Sequence, residues 1–429
     1  MKEEFLHYVW KHKLLSTHEL CSTENQSLYI INYGQFNVNS GPDFLNARIK
    51  IDEIEWYGHV EIHVNASDWY VHNHENDPAY ETVILHAVWN NDVAIYDKGN
   101  LIIPTLILKP ITSKVLLQNY QKFNLLPRTW IPCENQLGNI PSFVLSNWME
   151  RLFFERLEKK HNIIGALLAK NKANYEATLF QLLATNFGLK INAPAFYCFA
   201  NSFDFYVIKK VQHNKTKLSA LFFGQAGFLE EEFEDVFYNE LKSTYSYLKH
   251  VFNLKPIANQ QFQFFKIRPT NFPTIRIAQL SALYFKYKKL FSQIMDLEHV
   301  QETYKLFSIK LPKYWETHYS FQTESKKSYK KLTKPFIDLL LINTIIPLQF
   351  YYAKRQKVNH DASSLKMIKA IQPEKNSTLL KFSKCGVIAK NALESQALLE
   401  LKNEYCNHKK CLQCAIGNHL LQRNANKGS

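Results

Sequence analysis

The sequence predicts an α+β protein, an N-terminal α/β sheet domain followed by a larger all-α region. Two patterns carry that expectation. Apolar residues come in short alternating runs between residues 28 and 108, then recur at helical spacing from residue 146 onward. A third observation sets the boundary: Pro127, Pro132 and Pro141 punctuate the stretch between the two patterns, and proline interrupts regular elements because it lacks an N–H and fixes φ. The expected division is a sheet domain over 1–125, a connector over 126–145 and a helical region over 146–429.

The elements follow in order. Residues 3–20 read as an amphipathic helix, with Phe5, Tyr8, Val9, Leu14 and Leu15 along one stripe. Residues 47–51 and 59–64 alternate as strands, whereas 83–89 is a nearly continuous apolar run, the pattern of a strand covered on both faces. Residues 101–108 form a further strand candidate, broken by Pro104. A long helix is expected over 146–170, with Ser146 and Asn147 as N-caps. More helices are expected near 174–187, 193–203, 228–251, 275–297, 333–353, 360–371 and 388–405, with 220–227 and 268–273 as connectors.

At 429 residues the chain exceeds one ordinary core. Hydrophobic content of 46% and charged content of 21% exclude extensive disorder. No stretch reaches the ~20 apolar residues of a membrane span; residues 335–352 come nearest, interrupted by Asp338, Asn343 and Gln349. Met1-Lys2-Glu3-Glu4 opens directly into a helical pattern without the apolar run of a secretion signal. Seven unevenly spaced cysteines do not suggest a disulfide framework. A cytoplasmic location is expected, with no membrane partner. The formal charge of +14 points to a polyanion, and nucleic acid is the expected partner. Lys326, Lys327, Lys330, Lys331 and Lys334, interleaved with Tyr329, form the densest basic run.

The chemistry concentrates between residues 41 and 86, where Asp43, Glu61, His63, Asp68, His72, His74, Asp77 and His86 gather. With period two, His59, Glu61 and His63 share one strand face while Val60, Ile62 and Val64 take the other. A hairpin turning near 52–58 would fold Asp43 back toward Glu61. His72 and His74 form an H-x-H pair suited to a transition metal, and His86 sits in an apolar strand where a buried imidazole needs a partner. Ordinary readings compete: a β-turn for Gly41-Pro42-Asp43, a solvated face for Glu61 and His63, a solvated loop for His72, His74 and Asp77.

Pro42-Asp43 with Glu61-Ile62-His63 resembles the PD-(D/E)XK nuclease pattern. The resemblance implies a restriction-endonuclease-like sheet domain in which Asp43, Glu61 and the Ile62 carbonyl bind Mg²⁺. It implies that the third residue, normally lysine, orients the attacking water. His63 stands in that place, and is read as general base, metal ligand or the mark of lost catalysis.

A second cluster lies near the C-terminus, where Cys406, Cys411 and Cys414 give C-x4-C-x2-C. In a chain without disulfides such spacing reads as a metal site, zinc or an iron–sulfur cluster. Cys133 is the preferred fourth ligand, with His408, His419 and Cys385 as alternatives.

Gly41–Phe44, Val60–His63, Asp68-Trp69, His72–His74, Val83–His86, Phe223–Gly227, Asn271–Pro273 with Arg276, and Tyr405–Gly417 together resemble the bacterial domain-of-unknown-function family 2851. That likeness implies one architecture over nearly the whole chain and names no substrate. The expected function is a metal-dependent phosphodiesterase acting on DNA or RNA, with Asp43, Glu61 and His63 catalytic. Two alternatives stand beside it: a non-catalytic nucleic-acid-binding or scaffold protein with a degenerate nuclease fold, and a histidine-rich metalloenzyme not acting on nucleic acid.

Overall fold

A mixed sheet of seven strands organises the N-terminal part of the chain, ordered β1-β2-β4-β5-β6-β7 with β3 beside β4. The computed structural model describes residues 1–125, 129–358 and 361–423. The strands are β1 (Leu20–Cys21), β2 (Ser27–Asn32), β3 (Gln35–Phe36), β4 (Phe44–Ile51), β5 (Ile54–Asn65), β6 (Val83–Asn90) and β7 (Thr105–Ile107). The α+β class holds: this sheet is followed by helices.

β4 and β5 form an antiparallel hairpin closed by Asp52-Glu53, with Ile51 opposite Ile54. Asp52 takes a left-handed φ of 51°, which aspartate tolerates, and its carboxylate accepts the Ser27 N–H. β5 then crosses through residues 66–82, which include the short helix α2 (Asp68–Val71), to run parallel to β6. At that crossing Gly58 approaches its neighbour closely; a Cβ there would sit 2.4 Å from Ile84 Cγ2 and from the Thr82 carbonyl.

Each face of the sheet buries its own cluster. Helix α1 (Glu3–Lys11) lays Phe5, Leu6, Val9 and Trp10 on Ile49, Val60, Ile62 and Leu85. Each such side chain contributes about 1.5–3 kcal/mol when fully buried. The opposite face carries a smaller cluster of Ala66, Trp69, Val83, Val88, Ile95 and Ile103. Both faces of β6 are therefore covered, which is why its apolar pattern is continuous.

The C-terminal stretch belongs to this same unit, which comprises residues 1–148, 380–387 and the described residues from 399 onward. Leu421 joins the α1 cluster and Leu412 packs against it. Asn119, on helix α3 (Lys114–Leu125), donates to the Leu421 carbonyl, and Gln422 donates to the Tyr8 hydroxyl. Residues 149–379 and 388–398 form the second unit, which is helical. Its core is aromatic, with Phe180, Phe199 and Phe222 in mutual contact. In it the buried Arg276 guanidinium lies 3.5 Å over the Phe336 ring and binds Asn271 and Gln279.

Several elements differ from expectation. The first helix ends at Lys11, not at 20: Lys13 turns left-handed, the Leu14 N–H returns to the Val9 carbonyl, and Leu15 bridges to Thr112. Helix α4 (Ser142–Lys170) starts immediately after Pro141, ahead of Ser146 and Asn147. Lys215–Gln225 is a helix where 220–227 reads as a connector; from Leu218 onward it is buried on every side, so it shows no amphipathic period there. Asp235 caps Tyr238 and delays the next helix to Val236–Val251. The 275–297 helix divides into Pro273–Lys286 and Leu290–Met295. Pro127, Arg128 and His360 lie outside the described residues.

Candidate metal centre

The site exists because β5 outlasts its antiparallel partner. β4 pairs with β5 only as far as Phe44 opposite Val60, while β6 continues beside β5 through Asn65. The Ile62 N–H thus has no strand partner on that side, and Asp43 supplies one: its Oδ2 accepts at 3.0 Å. The Asp43 N–H in turn donates to Glu61 Oε2 at 3.1 Å. His7, on α1, reaches the same Asp43 oxygen at 3.0 Å and Glu3 at 3.7 Å.

Glu61 and His63 leave β5 on the face opposite α1, and both are buried. The crossing segment folds over them. His63 Nε2 stands 3.1 Å from His72 Nδ1 and 3.4 Å from Glu61 Oε1. His74 Nε2 is also 3.4 Å from Glu61 Oε1. One nitrogen from each of His63, His72 and His74 lies within 4.8 Å of the other two. Tyr80 stacks on the His74 ring at 3.8 Å and holds it in place. Behind them His86 Nε2 contacts His63 Nδ1 at 2.8 Å. His72 alone of the three is exposed, so the cluster opens to solvent on its side.

Burial sets the protonation states. It pushes Glu61 up to about 9, with the nearby Asp43 charge adding to the effect. It pulls His63 down to about 2 and His86 to about 3, and lowers His74 as well. Burial is the largest influence on His7 and pulls it down, but its hydrogen bond to Asp43 and the charges of Asp43, Glu3 and Glu61 together outweigh that and raise it. His63, His74 and His86 are therefore held toward the neutral form, beside a carboxyl group held protonated. A cation bound by these donors would replace that proton. The His86 Nδ1 has no hydrogen-bond partner among the described residues.

Of the groups singled out from sequence, Asp43, Glu61, His63, His72, His74 and His86 converge. Asp77 does not donate to the cluster; it accepts the Ala79 N–H, although its charge reaches His74. Asp68 accepts the Asn65 N–H, and His59 accepts from Asn46. The solvated-face reading of Glu61 and His63 fails, because Trp69 and Tyr80 roof that face. Glu3, His7, Trp69 and Tyr80 complete the site and were not expected there. The four-residue spacing of Glu3 and His7 on the polar flank of α1 is the one sequence signal for them.

The family model described as Protein of unknown function (DUF2851) matches residues 3–377. The chain belongs to the DUF2851 family. The DUF2851 match takes in every residue of the acid/histidine cluster and Cys133, and ends before Cys406, Cys411 and Cys414. No match was found among curated proteins, and none among solved structures.

The basic run of this DUF2851 protein is not a uniform surface. Lys330 is buried and donates to the Glu316 carbonyl, and Lys327 pairs with Glu316, while Lys326, Lys331 and Lys334 are exposed. The cysteines lie within the sheet-bearing unit, where Cys133, Cys406, Cys411 and Cys414 line one cavity. Burial raises all four thiols, Cys133 and Cys411 to about 12. His408, His419 and Cys385 are not among the residues lining that cavity.

Proposed function

We propose that this DUF2851 protein is a metal-dependent phosphodiesterase acting on DNA or RNA, with a nuclease-like sheet domain. The observation that carries the reading is the convergence of His63, His72, His74 and Glu61 beside Asp43. A tetrahedral ion held at about 2.0–2.1 Å by imidazole nitrogens puts neighbouring donors roughly 3.3–3.4 Å apart. The spacings of 3.1, 3.4 and 3.4 Å among these donors fit that edge.

Three imidazoles and a carboxylate favour a transition ion such as Zn²⁺ or Mn²⁺ over the Mg²⁺ that two carboxylates alone would select. Such an ion, when bound, supplies Lewis-acid charge and an activated water. The protein's own groups do the rest. His86 orients His63 by holding Nδ1, which leaves Nε2 toward the centre. Asp43 fixes the Glu61 backbone neighbour and the Glu61 carboxyl together. Trp69 and Tyr80 keep water from the inner side, leaving the exposed His72 edge for substrate.

The nucleic-acid assignment draws on the net charge of +14 and on the order of the strands. An antiparallel hairpin that brings Asp43 back beside Glu61 suits the acid pair of the Pro42-Asp43 and Glu61-Ile62-His63 resemblance. A histidine-rich metalloenzyme acting on another substrate class uses the same three imidazoles and is separated by substrate alone.

The test is cleavage of single- and double-stranded DNA and RNA by the full chain with Mn²⁺, Zn²⁺ or Mg²⁺. Cleavage is expected with a transition ion, and Glu61→Gln and His74→Ala are expected to abolish it. His63→Lys discriminates further: a two-carboxylate Mg²⁺ site would tolerate it, whereas the three-imidazole site loses a ligand. No cleavage under any of these ions, or full cleavage by Glu61→Gln, rejects the proposal.

A further inference from the structure

We propose that Cys133, Cys406, Cys411 and Cys414 hold an iron–sulfur cluster that fastens the C-terminal tail onto the sheet-bearing unit. The four side chains line one cavity, closed by Phe123 and Ile416, and none is engaged in a disulfide. Cys133 comes from the far side of the sequence, yet lies within electrostatic reach of Cys411 and Cys414.

The local backbone is shaped to present these sulfurs. The helix Ala392–Glu400 widens into a π-helical turn over Leu401–Cys406, and such turns recur at functional sites. Lys409 adopts a left-handed φ of 53°, and Cys411 opens a short 3₁₀ turn. Cys414 is the N-cap of the last helix, Ala415–Gln422, whose Ile416 and Gly417 N–H groups and the Trp148 indole approach its sulfur. Donors aimed at sulfur, at a helix N-terminus, stabilise a thiolate. Gly417 lets the chain close on itself there; a Cβ would sit 2.0 Å from the Cys411 carbonyl oxygen. Lys402 and Lys409 lie near enough to offset part of the negative charge of four thiolates.

Spacing favours a cluster over a single zinc. A tetrahedral zinc with thiolates at about 2.3 Å draws any two sulfurs to roughly 3.8 Å. Among the described residues no three of the four sulfurs come within 4.8 Å of one another. A centre several atoms across fits that spread, and C-x4-C-x2-C with a remote fourth cysteine is an established iron–sulfur spacing. Insertion is ligand exchange without a change in iron oxidation state. Each cysteine forms one Fe–S bond and gives up its proton, and each departing thiolate of the cluster donor takes one up.

The experiment is anaerobic purification of the full chain, with iron, acid-labile sulfide and zinc counted alongside the visible spectrum. Iron and sulfide in cluster stoichiometry with broad near-ultraviolet and visible absorption are expected. Cys133→Ser and Cys411→Ser should each lose most of the iron, and the exposed Cys198→Ser should lose none. One zinc and no iron, or a metal-free chain in which all four thiols alkylate freely, overturns the proposal. So does full iron content in Cys133→Ser. The wild-type count decides even where a variant fails to fold, and it does not depend on catalysis, so it stands or falls apart from the phosphodiesterase reading.

Discussion

The histidine cluster and the cysteine cluster sit in the same unit of the molecule and are built in opposite ways. The cysteines are brought together by local chain: three within nine positions, shaped by a π turn, a left-handed lysine and a tight glycine, plus one remote partner. The histidines and acids are brought together by the sheet, from α1, the mouth of β4, the end of β5, the crossing segment and β6. A locally built site depends on its own loop, whereas a register-built site depends on every strand that sets the register. Their surroundings differ too. The cysteines line a cavity also walled by Phe123, Leu401 and Ile416, and the histidines meet an exposed edge at His72.

The largest expected effect is a clean separation of the two sites. His74→Ala should cut transition-metal affinity at the imidazoles by more than about 100-fold, beyond the 10–100-fold of an outer-shell partner, and leave iron and sulfide content unchanged. Cys411→Ser should do the reverse. Equilibrium dialysis with Zn²⁺ beside iron analysis measures both, and a variant that empties both centres would show that the comparison is drawn too sharply.

Next comes the partner behind the ligands. His86→Gln should weaken metal binding about 10–100-fold without touching a ligand, because His63 loses the group that orients it. Gly417→Ala should destabilise the tail by ~1–3 kcal/mol through the contact its Cβ makes, read as a lowered melting temperature with the histidine site's affinity intact.

A third difference is a pH dependence peculiar to the register-built site. His63 and His86 are held at about 2 and about 3 in the fold, against 6.5 when exposed. The unfolded chain therefore takes up protons below pH 6.5 that the folded chain refuses. Their stability contribution is full above pH 6.5 and declines as the pH falls toward 3, at about 1.4 kcal/mol per unit per group at most. Urea unfolding at pH 7 and pH 5 tests it, and His86→Gln should flatten the acid limb. An unchanged slope in that variant would remove His86 from the account.

The two sites also differ in how readily the sequence discloses them. The cysteine trio is legible as a spacing, because its members are neighbours in the chain. Glu61 and His63 are legible as one strand face, because period two is local. Their burial is not, since Trp69 and Tyr80 come over from a crossing segment whose path no periodicity reveals. Glu3 and His7 escape for the same reason: their partner, Asp43, lies beyond three strands in sequence. In the fold, β5 and β6 stand out by alternation and by continuous hydrophobicity. The helix Lys215–Gln225 does not, since uniform burial from Leu218 onward erases the pattern.

The return of the tail has a consequence for synthesis on the ribosome. Leu421 and Leu412 complete the cluster that α1 and the strands begin, yet they are made only after the helical unit. At about 5–20 residues per second, the sheet waits on the order of tens of seconds, through the whole helical unit, for its final apolar contacts. During that interval the nascent chain presents the surface of α1 and α3 that the last helix later covers. The sheet-bearing unit is thus begun before the helical unit and finished only after it, and it is the one a nascent-chain chaperone would have reason to hold.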